Sequence, residues 1–137
     1  MKVREVMTTN PVTLDATAPI MKAAEAMRDN NIGNIVVRKD GKLCGIVTDR
    51  DIVVRVLAAG KDPKDTKIES VCSHEILTIS PDRDTSDAVK LMRQRAVRRL
   101  PVVDEGKVLG IVSLGDLAVS IDRTSALGDI SAAPPNR

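Results

Sequence analysis

Residues Gly45–Asp51 read GIVTDRD, and the same pattern recurs later in the chain, where Gly110–Asp116 read GIVSLGD. Both stretches contain a glycine, two apolar residues, a hydroxyl residue and a final aspartate. An apolar run followed by a hydroxyl residue and a new apolar period predicts a strand that ends at a helix start, with Thr48 or Ser113 at the N-cap. Each copy would then bring a hydroxyl, a carboxylate and unpaired helix N–H groups to one point. Such a grouping can hold a phosphate beside a sugar diol.

The repeat extends far beyond these two stretches. At the offset that relates Gly45 to Gly110, the chain aligns without a gap from about Glu5 to Val56, with matches such as Val6 with Val71 and Met27 with Met92. Two copies without insertions predict one structural unit made twice, each too short to bury its apolar face alone. We therefore place the first repeat at residues 1–61, the second repeat with its linker at 62–123, and a frayed or disordered tail at 124–137.

Charge and composition exclude several classes of function. The 137 residues carry 21 basic and 19 acidic side chains and no aromatic residue. This balance lacks the excess of positive charge that follows a nucleic-acid backbone, and no rings are present on which bases could stack, so we expect no nucleic-acid partner. The N-terminus is charged and no apolar run is long enough to span a membrane, which predicts a cytoplasmic protein with no membrane partner.

The cysteines and the histidine give no sign of a metal or redox centre. In the repeat alignment Cys44 stands opposite Leu109 and Cys72 opposite Met7, so both thiols replace ordinary apolar residues. This favours buried structural thiols over a redox or metal role. His74 is the only histidine and no Cys-x-x-Cys pair accompanies it, so we predict no metal site.

Apolar periodicity predicts the same elements in both copies. The first copy has a short strand at Pro11–Leu14, a helix with a stripe from Ile20 to Met27, and two strands joined by a turn at Lys39–Lys42. A second helix from Asp49 to Gly60 should carry Ile52, Val53, Val56 and Leu57 on one face. The second copy predicts strands at 77–79, 100–103 and 108–112 and helices at 85–95 and 114–121.

This order of elements, with Gly-apolar-apolar-Thr/Ser-x-x-Asp ending the third strand of each copy, resembles a tandem pair of CBS domains, or Bateman module. Val6–Thr8 and Arg98–Val102 add to the resemblance, which covers Val3 to about Arg123 and is nearest to small stand-alone bacterial pairs, including hypoxic-response types. The resemblance implies an α/β (α+β) fold of two β-α-β-β-α repeats packed sheet to sheet with pseudo-twofold symmetry. It also implies a homodimer and two clefts for adenosine-containing ligands: AMP, ADP, ATP, S-adenosylmethionine or NAD.

The resemblance also implies which residues form each cleft. In each motif the aspartate would bind the ribose hydroxyls and the hydroxyl residue would face the phosphate. Site A then comprises Thr48, Arg50, Asp51, Thr78, Ile79, Arg98, Arg99 and Pro101, and site B comprises Thr13, Leu14, Gly33, Asn34, Ile35, Ser113 and Asp116. Site A should bind phosphate-bearing nucleotides better, because it can draw on arginines where site B has glycine and asparagine. Without aromatic residues, adenine would lie between aliphatic side chains such as Ile79 and Leu100.

Other interpretations remain open at this stage. Thr48 with Asp51, and Ser113 with Asp116, also fit a capping box that only stabilises a helix. The favoured function is a regulatory, ligand-sensing module that requires no cofactor, has no catalytic residues and acts on an unidentified protein. The alternative is a dimeric interaction scaffold with vestigial clefts. An enzyme is the weakest hypothesis, because the sequence has no phosphate-binding loop, no metal-ligand cluster and no nucleophile paired with a histidine.

Overall fold

The computed structural model describes residues 1–74, 76–121 and 126–133. In chain order the strands are β1 (Thr8–Thr9), β2 (Thr13–Asp15), β3 (Asn34–Lys39), β4 (Lys42–Thr48), β5 (Arg99–Asp104) and β6 (Lys107–Ser113), and the α-helices are α1 (Ile20–Asn30), α2 (Asp49–Ile52), α3 (Thr85–Arg95), α4 (Leu114–Ile121) and α5 (Ala126–Ala132). Short 3₁₀ turns cover Val3–Glu5 and Ile68–Ser70, and a π-helical turn covers Val53–Leu57. The predicted mixed α/β architecture is confirmed.

The chain divides into two compact units that do not coincide with the two sequence repeats. The repeat-1 unit is Val12–Ile76, and the repeat-2 unit joins Met1–Pro11 to Leu77–Asn136. Each unit thus contains most of one repeat and the leading segment of the other. These leading segments are residues 62–76 in the repeat-1 unit and Met1–Pro11 in the repeat-2 unit. The two repeats have exchanged these leading segments, which the alignment alone does not reveal.

The exchanged segments pair with equivalent strands. In the repeat-2 unit, Thr8 and Thr9 of β1 lie antiparallel to Ile111 and Gly110 of β6. In the repeat-1 unit, Ser73 forms an antiparallel bridge with Ile46 of β4. Since Ser73 aligns with Thr8 and Ile46 with Ile111 in the repeat alignment, the same pairing occurs in both units.

Each unit has a small sheet covered by helices. The repeat-1 sheet has the order β2-β3-β4, with β2 parallel to β3 and β3 antiparallel to β4, and the repeat-2 sheet has the order β1-β6-β5. The predicted strand at 77–79 is reduced to one parallel bridge between Ile79 and Val102. The hairpin turns at Asp40-Gly41 and Glu105-Gly106 have positive φ at both residues, as the tight turn requires.

The apolar stripes predicted from the sequence supply most of the two cores. In the repeat-1 unit, Ile20, Ala23 and Met27 of α1 pack on β3 and β4 together with Ile68. The repeat-2 core is built likewise from α3, α4, the inner faces of β5 and β6, and Val3 from the exchanged segment. The exchanged segments are therefore part of the cores as well as of the sheets.

The second helix of the repeat-1 unit differs from its predicted face. Ile52 and Val56 are buried, but Val53 is 55% exposed and Leu57 is 59% exposed, so two of the four residues of the predicted face lie outside the core. The helix changes from α to π geometry at Val53. Val53 and Leu57 each follow a buried position, Ile52 or Val56, by one residue and so lie at the edge of the inward-facing stripe. An apolar surface is therefore left on this helix.

The C-terminal segment also differs from expectation. The composition predicts a frayed tail at 124–137, yet Ala126–Ala132 form α5, which packs against α4. The physical reason is close packing of small residues: a Cβ at Gly115 of α4 would lie 3.2 Å from Ser131 Oγ. The remaining parts of the predicted tail, 124–125 and 134–137, lie outside the described residues. Within the described part of the chain, no helix is both long and apolar enough to cross a bilayer.

Candidate ligand-binding site

The first repeated motif forms a reciprocal capping box. The Thr48 N–H donates to Asp51 Oδ2 at 2.9 Å, and the Asp51 N–H donates to Thr48 Oγ1 at 3.2 Å. The second carboxylate oxygen of Asp51 lies 3.8 Å from Arg55 Nε, and the Asp51 side chain is 16% exposed. The structural role predicted for this pair is therefore confirmed.

The second motif has the same geometry. The Ser113 N–H donates to Asp116 Oδ2 at 3.0 Å, and the Asp116 N–H donates to Ser113 Oγ at 3.1 Å. This pair opens into a groove of about 600 Å³ within the repeat-2 unit. Besides Ser113 and Asp116, the groove is lined by Glu5, Val6, Gly115, Val119, Ser120, Ser131 and Ala132. The exchanged N-terminal segment and α5 thus form two of its walls.

In each unit the capping box has a fixed neighbour on the adjacent strand. Asn34 of β3 is the register partner of Thr48, and Arg99 of β5 is the register partner of Ser113. Just before these strands, the Gly33 carbonyl accepts from the Asp49 N–H at 3.0 Å, and the Arg98 carbonyl accepts from the Leu114 N–H at 2.8 Å. Gly33 and Asn34 therefore lie beside the Thr48–Asp51 box. Arg98 and Arg99 occupy the equivalent positions beside the Ser113–Asp116 box.

The remaining predicted site residues fall into three environments. Thr78, Arg50 and Arg98 are not buried, whereas Ile79, Pro101 and Ile35 are. Thr13 and Leu14 lie half-buried on β2, parallel to Val36 and Val37. Each predicted site draws on both units: Thr48, Arg50 and Asp51 of site A belong to the repeat-1 unit, and its other members belong to the repeat-2 unit.

One of the two predicted adenine contacts needs correction. Leu100 is fully buried and Ile79 is 5% exposed, and both belong to the core of the repeat-2 unit. Their side chains pack against that core, including Val112 and Leu117. The Leu100 side chain is therefore not free to lie against a base.

The structure also brings together three residues that the sequence patterns leave unconnected. Cys44, Cys72 and His74 place two sulfurs and an imidazole nitrogen within 4.8 Å of one another in the repeat-1 unit. Burial, followed by the neighbouring Cys44, raises the pKa of the Cys72 thiol to about 11. Free Cys72 is consequently a thiol near neutral pH, which disfavours a reactive redox cysteine.

The three residues come together because the repeats exchange their leading segments. Cys44 precedes Gly45 on β4, and Cys72 and His74 flank Ser73, which pairs with Ile46. The sequence holds no local signal for this cluster, because Cys44 lies far along the chain from Cys72 and His74 and the repeat alignment sets none of the three opposite another.

Comparison with known proteins agrees with this duplicated architecture. The sequence model of the CBS domain matches residues 3–58 and again residues 68–123. The chain belongs to the CBS domain family.

Relatives of this CBS pair include stand-alone proteins of similar length. The CBS domain-containing protein YhcV of Bacillus subtilis is 42% identical over 118 residues, which cover 86% of this chain and 84% of YhcV. Hypoxic response protein 1 of Mycobacterium tuberculosis is 31% identical over 116 residues, covering 84% of this chain and 81% of that protein. CBS-domain proteins are in general regulatory, non-catalytic modules, and this chain is a CBS-pair module.

Two solved structures extend the comparison. The crystal structure of hypoxic response protein I with two coordinated zinc ions is 30% identical, covers 86% of this chain and 97% of its own, and superposes with a TM-score of 0.78. The CBS domain pair of protein MJ0100, in complex with 5-methylthioadenosine and S-adenosyl-L-methionine, is 27% identical with a TM-score of 0.80. It covers 91% of this CBS pair and 98% of its own chain.

Proposed function

We propose that this CBS pair is a ligand-sensing module that binds an adenosine-containing nucleotide at its two capping-box helix starts. The observation that carries the proposal is the duplication of the capping box, which sets a hydroxyl and a carboxylate side by side in each unit. The adenosine compounds bound to the MJ0100 pair, a protein of the same family, support the ligand class.

The capping role leaves functional groups available for a ligand. The Thr48 oxygen accepts the Asp51 N–H through a lone pair, so the hydroxyl keeps its proton to donate to a phosphate oxygen. Asp51 uses Oδ2 for the cap, and its Oδ1 can accept from a ribose hydroxyl. The same chemistry applies to Ser113 and Asp116. Helix stabilisation and ligand binding are thus compatible in one set of residues.

The residues proposed for sites A and B are those given by the family resemblance, without Leu100 as a surface for the base. The repeat alignment distinguishes the two proposed sites, because Arg50, Arg98 and Arg99 of site A stand opposite Gly115, Gly33 and Asn34, although Arg99 is also the register partner of Ser113 on its own sheet. A guanidinium offers a charged fork of donors to a phosphate, whereas glycine and asparagine do not. The proposal therefore assigns phosphate-bearing nucleotides to site A.

The module would act by changing the balance between two states of a homodimer or of a regulated protein. A ligand shifts such a balance only through different affinity for the two states, and couplings of about 1–3 kcal/mol are usual. Val53 and Leu57, both more than half exposed, offer apolar surface for association.

Titration calorimetry with AMP, ADP, ATP, NAD and S-adenosylmethionine tests the proposal. The informative variant is Asp51→Asn, because the amide oxygen can still accept the Thr48 N–H while the charge is lost. We expect affinity to fall more than about tenfold, since a charged hydrogen bond contributes about 1.5–3 kcal/mol. The urea midpoint should change little.

Two matched variants define the specificity of that effect. Asp49→Asn removes the same charge from the same helix start, but the Asp49 carboxylate accepts from the N–H of its own neighbour Arg50 and takes no part in the capping box, so affinity should be retained. Asp116→Asn should weaken phosphate-bearing ligands less than Asp51→Asn. Equal losses at Asp51 and Asp116 would contradict the asymmetry, and equal losses at Asp49 and Asp51 would contradict the specific contact.

The second candidate function is an interaction scaffold with non-binding clefts. The exposed apolar residues Val53, Val54 and Leu57 favour it, because a contiguous apolar surface marks an association site. Absence of heat at millimolar concentration of all five ligands, with the protein folded by circular dichroism, would select the scaffold.

A further inference from the structure

Two thiols and an imidazole converge on the edge of the repeat-1 sheet, one residue before the glycine of the repeated motif. Cys44 comes from β4, whereas Cys72 and His74 come from the exchanged segment that pairs with this strand. We propose that Cys44 Sγ, Cys72 Sγ and His74 Nδ1 bind one Zn²⁺ ion.

The distances between the donor atoms fit a tetrahedral ion. His74 Nδ1 lies 3.7 Å from Cys44 Sγ and 3.9 Å from Cys72 Sγ. Zinc bonds of about 2.3 Å to sulfur and about 2.0 Å to nitrogen place two tetrahedral ligands roughly 3.5–3.8 Å apart. The two nitrogen–sulfur distances are therefore within a few tenths of an ångström of the tetrahedral values, and the two sulfurs lie within 4.8 Å of each other.

The orientation of the imidazole is an independent indication of a metal ligand. His74 Nε2 lies 2.8 Å from the Glu69 carbonyl oxygen, which can only accept, so this nitrogen carries the proton. Nδ1 is then the nitrogen available to a metal; it lies 3.7 Å from Cys44 Sγ, while Cys72 Sγ is nearly equidistant from Nδ1 and Nε2, at 3.9 and 3.8 Å. Metal-binding histidines characteristically donate their other N–H to a carbonyl or carboxylate, which fixes the tautomer. Glu69 is itself held by Lys39, whose Nζ lies 2.9 Å from the Glu69 carboxylate.

The charge of the three ligands and the access from solvent also suit a Zn²⁺ ion. Binding replaces the S–H bonds of Cys44 and Cys72 with Zn–S bonds and releases two protons to solvent, so two thiolates neutralise the doubly charged ion. A neutral complex is compatible with Cys72, which is buried. Cys44 is half-buried and His74 exposed, so the ion can enter from solvent and a water can occupy the fourth position.

The bound ion would fasten the exchanged segment to its strand. Ser73 and Ile46 already share two backbone hydrogen bonds, with N···O distances of 3.0 and 3.3 Å. The ion would add a cross-link between residues 44 and 72–74, on both sides of this pair. The repeat-2 unit has Leu109, Met7 and Thr9 at the aligned positions, so the same strand pair forms there with side chains that cannot replace this ligand set.

The other repeat supplies the control. In the triple variant Cys44→Leu, Cys72→Met, His74→Thr, each ligand is replaced by the residue that occupies the aligned position. Single variants Cys44→Ser and His74→Gln remove one ligand each. All proteins are prepared metal-free with a non-thiol reductant, and circular dichroism confirms that they are folded.

Cobalt(II) serves as a spectroscopic probe and zinc as its competitor. With no aromatic residue in the chain, the near ultraviolet is clear for thiolate-to-cobalt charge-transfer bands. We expect one Co²⁺ per chain, displaced by one Zn²⁺, and a zinc-dependent rise in Tm. Each single variant should bind at least about tenfold more weakly, and the triple variant should show neither the bands nor the shift in Tm.

Two results would overturn the proposal. One is the absence of charge-transfer bands and of stoichiometric zinc in the reduced, folded wild-type protein. The other is equal metal binding by the triple variant, which would place the ion elsewhere.

Discussion

Gly45 opens the repeated motif, and the structure predicts a large effect when it is replaced by alanine. An added Cβ would overlap the carbonyl oxygen of Ser73 and lie 3.0 Å from Cys72 Sγ. The first contact is with backbone, which cannot rotate away as a side chain can. Gly110 has the equivalent relation to Thr8 in the repeat-2 unit, which gives a physical reason for the glycine at both positions.

The magnitude follows from the contacts that must separate. Relieving the overlap moves Ser73 from β4 and breaks the two hydrogen bonds between Ser73 and Ile46, at a net cost of about 1 kcal/mol each. It also loosens Val71 and Cys72, which are 2% and 4% exposed and belong to the core. We therefore expect Gly45→Ala to lower the free energy of unfolding by about 2–4 kcal/mol.

Urea unfolding followed by far-ultraviolet circular dichroism measures this change, because the chain has no aromatic residue for fluorescence. Chelator and reductant keep any metal ion from contributing. Gly115→Ala is the matched control, since its Cβ would meet Ser131 Oγ at 3.2 Å, a side-chain atom, within a helix that prefers alanine. The reasoning is refuted if Gly45→Ala unfolds at the wild-type urea concentration, or if Gly115→Ala is equally destabilised.

Two further predictions concern acid stability and association. The Thr17 hydroxyl and N–H donate to Asp15 Oδ1 at 2.6 and 2.9 Å, and these hydrogen bonds lower the pKa of Asp15. Because the folded-state pKa lies below the unfolded one, this group stabilises the fold above the unfolded pKa, and its contribution is lost as pH falls through the folded pKa. Asp15→Asn should therefore flatten the dependence of unfolding free energy on pH below about pH 4; an unchanged slope would contradict this. Leu57→Glu should convert the proposed homodimer into a monomer in sedimentation velocity, because a charge would replace an exposed apolar contact. The control Lys42→Glu, on the hairpin, should leave the homodimer intact. A wild-type sedimentation coefficient for Leu57→Glu would exclude this surface as the dimer contact.

Local patterns predicted most of the elements. The constant offset between the repeats, the Asp40-Gly41 turn and the helical stripe of α1 can each be read from the order of residues along the chain, and all three correspond to features of the structure. The capping geometry of Thr48 and Asp51 was predictable for the same reason, since both partners lie within one helical turn. Ligand identity and the assignment of residues to sites A and B remain predictions.

The sequence by itself determined the duplication, the order of helices and strands, and the two capping boxes, because these depend on hydrogen bonds and periodicity between close neighbours in the chain. Tertiary structure alone decided that the repeats exchange their leading segments, that Val53 and Leu57 are exposed, and that α5 packs on α4. It also decided that Cys44 meets Cys72 and His74. The physical reason is that contacts between segments far apart in the sequence depend on how whole strands pair, and the backbone overlap that would exclude a side chain at Gly45 exists only after that pairing has formed.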